Sequence, residues 1–114
     1  MKLYSYGACG TCRKALAWLK DRGIAVAPID ITLQPPSRDE LELALSQLGR
    51  KRLFNTSGQS YRALGAAAVA AMNDLQVLEA LAADGKLIKR PVLITDQHKV
   101  ITGFKPDEWQ ALLG

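Results

Sequence analysis

The chain has 114 residues, the length of one domain, and we treat residues 1–114 as a single unit. Its 48% apolar and 23% charged residues are typical of a globular protein and exclude a disordered or fibrous one. No apolar run approaches the ~20 residues of a membrane helix, and no signal-peptide segment opens the chain, so we expect a cytoplasmic protein that does not bind membranes. The net charge of +4 favours anionic ligands or acidic partners.

The first third of the chain predicts a strand, a helix and a second strand. Residues 2–6 alternate as a strand, and helical periodicity follows as far as Gly23. Residues 24–31 predict the second strand, in which Pro28 indicates an edge position or a bulge. Such a unit joins parallel strands by a right-handed crossover, and ligands bind beyond the C-terminal end of the first strand, where Cys9 falls.

Residues 37–85 predict an all-helical insert. It opens with a capping-box pattern, Ser37 followed by Glu40, that starts a helix over about residues 38–48. Arg50-Lys51-Arg52 is interpreted as a solvated helix exit, and residues 55–58 predict a turn. The insert then continues with a single helical turn at 59–63, an alanine-rich helix from 66, and a last helix capped by Asn73 or Asp74 and closed by Gly85.

The end of the chain predicts a β-hairpin and a closing helix. Two apolar runs, 92–95 and 99–104, flank the polar turn Asp96-Gln97-His98. Pro106 suits the first position of a helix that follows. The predicted order is therefore βαβ, helices, ββα.

The segment Cys9-Gly10-Thr11-Cys12-Arg13 lies where the first strand ends and the first helix begins. A thiolate there meets unpaired backbone N–H groups and the positive end of the helix dipole, so the pKa of Cys9 should fall below the ~8.5 of free cysteine. Arg13 acts in the same direction, and the small Gly10 and Thr11 let the loop close around an anion or a sulfur atom. Cys9 is the candidate nucleophile, and Cys12, one helical turn later, can resolve a mixed disulfide.

Two other interpretations of the cysteines are open. A zinc site needs two further ligands, and the chain offers only His98, at the predicted hairpin tip, so we expect no metal. A pair of buried structural thiols is also compatible with the sequence. A C-x-x-C motif beside a βαβ unit favours redox or nucleophilic use.

Five segments together resemble the ArsC-like family of thioredoxin-fold proteins: CGTCRKALAWL, PPSRDEL, LFNTSGQSYRALG, LIKRPVLI and GFKPDEW. The resemblance spans nearly the whole chain. It implies an α/β, thioredoxin-like fold, with a four-stranded mixed sheet and the all-helical insert between strands 2 and 3. The family includes glutathione- or glutaredoxin-linked arsenate reductases, Spx/MgsR-type regulators that bind RNA polymerase, and short uncharacterised proteins.

The resemblance also assigns site residues. Cys9 matches the cysteine that attacks the oxyanion, and Arg90 matches the arginine before a cis proline, Pro91, that faces this cysteine. The two other arginines that surround the anion in the reductases fall on Asn55 and Lys105. Asn55 has no charge, and Lys105 keeps a positive charge but cannot form the paired hydrogen bonds that a guanidinium gives to an oxyanion. Without this correspondence, Lys89 and Arg90 are a solvated charge pair.

Two functions follow as expectations. The first is a thiol-dependent reductase in which Cys9 attacks an oxyanion or a glutathione mixed disulfide and Cys12 resolves the product. It would hold no tightly bound cofactor and would draw electrons from glutathione, glutaredoxin or thioredoxin. The alternative is a redox-sensing regulator that docks on the RNA polymerase α subunit, because Cys12 matches the second cysteine of the Spx-type switch where the reductases have serine. Neither hypothesis involves direct binding to nucleic acid.

Overall fold

Four short strands form one sheet at the centre of the protein, and the computed structural model describes residues 1–114. The strands are β1 (Lys2–Ser5), β2 (Pro28–Asp30), β3 (Val92–Ile94) and β4 (Val100–Thr102). The helices are α1 (Gly10–Asp21), α2 (Arg38–Leu48), α3 (Arg50–Leu53), α4 (Gln59–Leu64), α5 (Ala66–Ala71), α6 (Asp74–Ala83) and α7 (Pro106–Leu113), with a 3-10 turn at Gly85–Leu87. This order confirms the predicted βαβ, helices, ββα arrangement.

The sheet is mixed and has the strand order β2-β1-β3-β4. β1 and β2 are parallel, whereas β3 is antiparallel to both β1 and β4. The pairing of Tyr4 with Val92 places the C-terminal end of β1 beside the start of β3. The loop after β1 and the segment before β3 therefore meet at one end of the sheet.

Alternating side chains of the strands enter two separate hydrophobic clusters, one on each face of the sheet. Tyr4 and Val92 pack with the helical insert, and Leu3 and Leu93 pack with α1 and with Trp109 of α7. Because both faces are covered, β3 and β4 are buried along their whole length. None of the helices is long and apolar enough to span a membrane.

The predicted capping box at the start of α2 is present and also ties the insert to the sheet. Glu40 N–H donates to Ser37 Oγ at 3.2 Å, and Ser37 N–H donates to Glu40 Oε1 at 2.9 Å. The hydroxyl of Tyr4, in β1, donates to the same Glu40 oxygen at 2.6 Å. One carboxylate therefore fixes the start of α2 relative to β1.

A side chain closes the outer edge of β4. Gln47 Nε2 donates to the His98 carbonyl at 2.6 Å, and Gln47 Oε1 accepts from Val100 N–H at 2.9 Å. The amide of Gln47 thus occupies the place of a neighbouring strand's peptide group.

The second strand is shorter than predicted. Only Pro28–Asp30 pairs with β1, and residues 24–27 are irregular. Ile24 and Val26 pack against the cluster beneath α1, so their apolar alternation reflects core packing and not sheet pairing. The predicted edge position of Pro28 is confirmed, since β2 is an outer strand and Pro28 is its first residue.

Two details of the insert also differ from prediction. Residues 50–52, interpreted as a helix exit, belong to the short helix α3, which begins after Gly49 with positive φ (75°). The helix predicted to close at Gly85 ends at Ala83, with Asp84 at the C-cap. Gly85 has a different role: it is buried where its backbone crosses that of Ile31, and a Cβ there would overlap the Ile31 carbonyl oxygen.

We expect Gly85→Ala to lower the free energy of unfolding by about 2 kcal/mol or more, because a backbone group and not a flexible side chain occupies the space of the new methyl. Urea unfolding monitored by circular dichroism measures the change. Gly7→Ala is the control, since a Cβ at Gly7 meets nothing within 4 Å. Equal stability of the two variants would contradict the close approach.

Candidate functional site

Cys9 is the N-cap residue of α1, at the end of the loop that leaves β1. Its backbone is extended, with φ −86° and ψ 118°, and Cys9 N–H donates to the Tyr6 carbonyl at 3.0 Å. Its sulfur accepts a hydrogen bond from Cys12 N–H at a distance of 3.4 Å. The Cys9 sulfur therefore occupies the position where a helix N-terminus stabilises a negative charge.

The surroundings of Cys9 act on its acidity in opposite directions. Partial burial tends to raise the pKa of the Cys9 thiol, but hydrogen bonds from the Cys12 thiol and backbone N–H and the positive charge of Arg90 outweigh it, so that the pKa is lowered. Cys9 remains partly exposed. A thiol that is accessible and ionises easily has the properties of a nucleophile.

Cys12 has the opposite properties. Its side chain is fully buried, and burial, together with the neighbouring Cys9, raises the pKa of the Cys12 thiol. The backbone of Tyr6 and the hydroxyl of Ser5 favour the thiolate but do not reverse this direction. The Ser5 hydroxyl is itself buried without a hydrogen-bond partner, so an ionised Cys12 would supply its missing acceptor. The two cysteines thus differ as an attacking and a resolving thiol do.

Cys9 borders a cavity of about 470 Å³. Its walls come from the start of α1, the turn after α3, the segment before β3 and the segment after β4. The lining residues are Cys9, Thr11, Arg52, Asn55, Ser57, Gly58, Lys89, Arg90, Thr102, Gly103, Phe104 and Lys105. Four of these are basic and none is acidic, so the cavity has a positive electrostatic potential next to the Cys9 sulfur.

The structure brings together part of the residue set predicted from the sequence. The predicted residues that line the cavity are Cys9, Thr11, Asn55, Arg90 and Lys105. Gly10, Arg13, Pro91 and Cys12 do not line it. Arg13 turns away and donates to the Gly7 carbonyl at 3.1 Å, Gly10 opens α1, and Pro91 is buried behind a cis peptide bond to Arg90.

Two cations of the cavity were not predicted to belong to it. Arg52 was interpreted as part of a solvated helix exit and Lys89 as part of a solvated pair, yet both line the cavity with Arg90. Arg52 lies on the short helix α3, which ends at Leu53, and Asn55 follows in the turn after it. Because Phe54 is extended, helical spacing does not relate the two residues, and no local signal in the sequence indicates that Arg52 lines the cavity.

Local contacts hold several cavity residues in place. The Arg90 guanidinium lies 5.0 Å from the centre of the Tyr6 ring, a cation–π contact. The amide of Asn55 is enclosed by its own turn: Ser57 Oγ donates to Asn55 Oδ1 at 3.3 Å, and a Cβ on Gly58 would lie 2.6 Å from Asn55 Nδ2. Only glycine at position 58 therefore accommodates this placement of Asn55.

A second cavity, of about 430 Å³, lies at the opposite end of the sheet. Its three carboxylates, Asp39, Glu40 and Asp96, face Lys2 and the N-terminal amine of Met1, which form ion pairs with Glu40 and Asp96. It contains no cysteine. We therefore assign the candidate site to the cavity beside Cys9.

We expect the alkylation rate of native Cys9 to rise with pH around a midpoint below the ~8.5 of free cysteine. Arg90→Gln should move that midpoint upward, because it removes a cation that favours the thiolate. Timed iodoacetamide labelling and mass spectrometry measure this, since buried Cys12 is protected in the native state. Lys20→Gln, at the far end of α1, removes the same charge as a control, and an equal shift in both variants would refute a local effect of Arg90.

Comparison with known proteins identifies relatives over almost the whole chain. The uncharacterized protein YusI of Bacillus subtilis is 45% identical over 113 residues, which cover 96% of this chain and 95% of that protein. The regulatory protein MgsR of the same organism is 33% identical over 110 residues, covering 95% and 86%. The crystal structure of a possible arsenate reductase from Streptococcus mutans superposes with a TM-score of 0.85 at 36% identity and covers 96% of both chains.

The family comparison agrees with the fold and with the motifs. The profile of the ArsC family matches residues 4–112. Its structural relatives share the four-stranded mixed sheet and the thioredoxin-like arrangement around it. The chain therefore belongs to the ArsC family.

Proposed function

We propose that the protein is a thiol-dependent reductase in which Cys9 attacks an anionic substrate. The observation that carries this proposal is the cavity itself, which joins the sulfur of an easily ionised cysteine to four basic side chains and to no carboxylate. A negatively charged substrate is attracted to that potential, and its electrophilic atom can reach Cys9. Membership in the ArsC family supports the same chemistry.

The reaction with a glutathione mixed disulfide can be written step by step. The Cys9 thiolate attacks the sulfur of glutathione, a new disulfide forms between Cys9 and glutathione, and the other thiol leaves. The thiol of Cys12 then loses its proton and attacks Cys9, which releases glutathione and forms the Cys9–Cys12 disulfide. A dithiol reductant such as glutaredoxin or thioredoxin returns two electrons and two protons.

An oxyanion of the arsenate class is the other substrate we propose to test. The relative from Streptococcus mutans is described as a possible arsenate reductase. In this chain Asn55 and Lys105 occupy positions that match arginines in such reductases, so the cavity offers fewer bidentate donors to a small tetrahedral anion. Glutathione is larger and has two carboxylates, which can contact cations on different walls of a cavity of this size.

We propose that the protein acts in the cytoplasm. Both cysteines are free thiols, and the mechanism needs them reduced at the start of each cycle. Glutathione and thioredoxin maintain thiols in that compartment.

Cys9→Ser should abolish reduction of a glutathionylated peptide, because no other exposed sulfur lines the cavity. Cys12→Ser should retain turnover with free glutathione but accumulate the Cys9–glutathione adduct, since the internal resolving thiol is absent. Coupled glutathione reductase assays and intact mass measure these outcomes. The same assays with arsenate decide between the two substrate classes.

Circular dichroism of both variants is the folding control. Wild-type turnover in folded Cys9→Ser would refute the proposed role of Cys9. Cys9→Ser has one remaining cysteine and cannot form the internal disulfide. Any glutathione adduct in that variant therefore lies on Cys12.

A second candidate function, redox-controlled binding to RNA polymerase, is favoured by the similarity to MgsR. The pair of cysteines at the start of α1 can serve as a switch, because a Cys9–Cys12 disulfide would remove the hydrogen bond that Cys12 N–H gives to the Cys9 thiolate and would change the charge of the cavity mouth. In this hypothesis the oxidation state of the pair controls docking and not turnover.

If the protein is such a regulator, the reduced form should bind the polymerase α subunit with a different affinity from the oxidised form. Surface plasmon resonance with immobilised α subunit measures both states, and the Cys9→Ser/Cys12→Ser variant is the redox-insensitive control. Absence of binding in both states would eliminate this candidate and leave the reductase.

A further inference from the structure

We propose that Arg52 is a substrate-binding residue of the Cys9 cavity and that Glu108 competes with the anionic substrate for its guanidinium. This inference rests on the proposed function, since it concerns the anion that Cys9 attacks. It adds a ligand at a position where the resemblance to the arsenate reductases places none.

Arg52 lies at the wall of the Cys9 cavity. It is on α3, two residues beyond which Asn55 begins the following turn, and it lines the cavity together with Lys89, Arg90 and Lys105. Its carbonyl accepts a hydrogen bond from the hydroxyl of Thr102, in β4. The backbone of Arg52 is therefore anchored to the sheet at the wall of the cavity.

Asn55 lacks the positive charge of the arginine that it matches in the arsenate reductases. An amide at this position can donate a hydrogen bond but supplies no positive charge. Arg52 also lines this cavity and carries a guanidinium. Arginine also presents several N–H donors in a fixed planar fork, which matches the geometry of oxyanions and carboxylates.

Arg52 forms an ion pair with Glu108. Arg52 Nη2 donates to Glu108 Oε1 at 2.7 Å, and this is the one hydrogen bond of the Arg52 side chain. Both side chains of the pair keep more than a third of their surface exposed, 41% for Arg52 and 34% for Glu108. An ion pair exposed to this extent is weak, so an anion in the cavity can share or displace it.

Glu108 is held beside the cavity by the local chain. It lies in the first turn of α7, which begins directly after the cavity residue Lys105. The carboxylate therefore neutralises one cation at the rim and repels an anion that enters the cavity. Arg52 and Glu108 consequently have opposite effects on anion binding, although they form one ion pair.

The effects of Arg52→Gln and Glu108→Gln on anion binding distinguish the proposed roles from a purely structural ion pair. If the Arg52–Glu108 pair only joins α3 to α7, neutralising either partner breaks the same contact and affects the cavity in the same direction. If Arg52 binds the anion and Glu108 competes, Arg52→Gln weakens anion binding and Glu108→Gln strengthens it.

The experiment measures protection of Cys9 by inorganic sulfate, a tetrahedral anion that does not react with thiols. The iodoacetamide labelling rate of each protein is recorded against sulfate concentration at constant ionic strength set with chloride, and the concentration giving half of the maximal protection is compared. Arg52→Gln should raise this concentration about tenfold, as expected for a lost charge-assisted contact. Glu108→Gln should lower it about two- to fivefold, as expected for release of an exposed ion pair.

Adjacent residues supply matched controls. Lys51→Gln and Asp107→Asn remove the same charges next to the two test positions, and neither residue lines the cavity. Both should stay within about twofold of the wild type, because exposed charges outside the cavity are screened. Arg52→Lys, which keeps the charge without the fork, should lie between wild type and Arg52→Gln.

Shifts in the same direction for Arg52→Gln and Glu108→Gln, or shifts no larger than those of the controls, would overturn the inference and leave the proposed reductase intact. Absence of sulfate protection in the wild type would instead overturn the anionic site as a whole. If Arg52→Gln fails to fold, the tighter sulfate binding expected of Glu108→Gln still tests the inference. Loss of a purely structural contact gives no reason for tighter sulfate binding, so unchanged or weaker binding in Glu108→Gln would overturn it.

Discussion

The hydrogen bond from Cys12 N–H to the Cys9 sulfur is the interaction on which the proposed chemistry of this protein depends. It exists because β1 ends at Ser5 and the following loop delivers Cys9 to the N-cap of α1. At that position the sulfur meets a backbone donor and the positive end of a helix dipole. Any change in the length of the loop between β1 and α1 would move the sulfur away from that donor.

The positive cavity around this sulfur is assembled from segments that are distant in the chain. Three of the four cations have a local contact: Arg90 lies over the ring of Tyr6, Arg52 is paired with Glu108, and the Lys89 side chain lies close to Gly103. These contacts hold the three cations in place, which would reduce the reorganisation that binding of the proposed anion requires. The sheet register that places the end of β1 beside the start of β3 is what brings Cys9 and Arg90 together.

The local features of the fold were predictable because each depends on neighbours in sequence. The capping box of Ser37 and Glu40, the edge position of Pro28 and the hairpin around His98 are of this kind. The placement of Cys9 at the start of a helix belongs with them. The prediction of a strand over residues 24–27 was wrong, because the alternating apolar residues Ile24 and Val26 pack in the core and do not pair in the sheet.

Features that depend on contacts between distant segments could not be predicted in this way. The role of Gly85 follows from the passage of Ile31 across it, which no local pattern encodes. Likewise, a run of three basic residues is usually solvated, and the hydrogen bond from Thr102 in β4 to the Arg52 carbonyl, which holds α3 at the cavity wall, joins residues 50 positions apart. The family resemblance predicted that Asn55, Arg90 and Lys105 belong to the site. It could not predict Arg52, because none of the three arginines of the reductases aligns with that position.

The amide of Gln47, described above at the outer side of β4, has a consequence for how these molecules meet one another. An open strand edge is a template on which a second chain can pair and begin to aggregate. Gln47 occupies the Val100 N–H of that edge and the His98 carbonyl just before it, and the opposite edge, β2, is three residues long and starts with proline. Neither border of the sheet therefore offers a long row of unpaired peptide groups on which a second chain could polymerise.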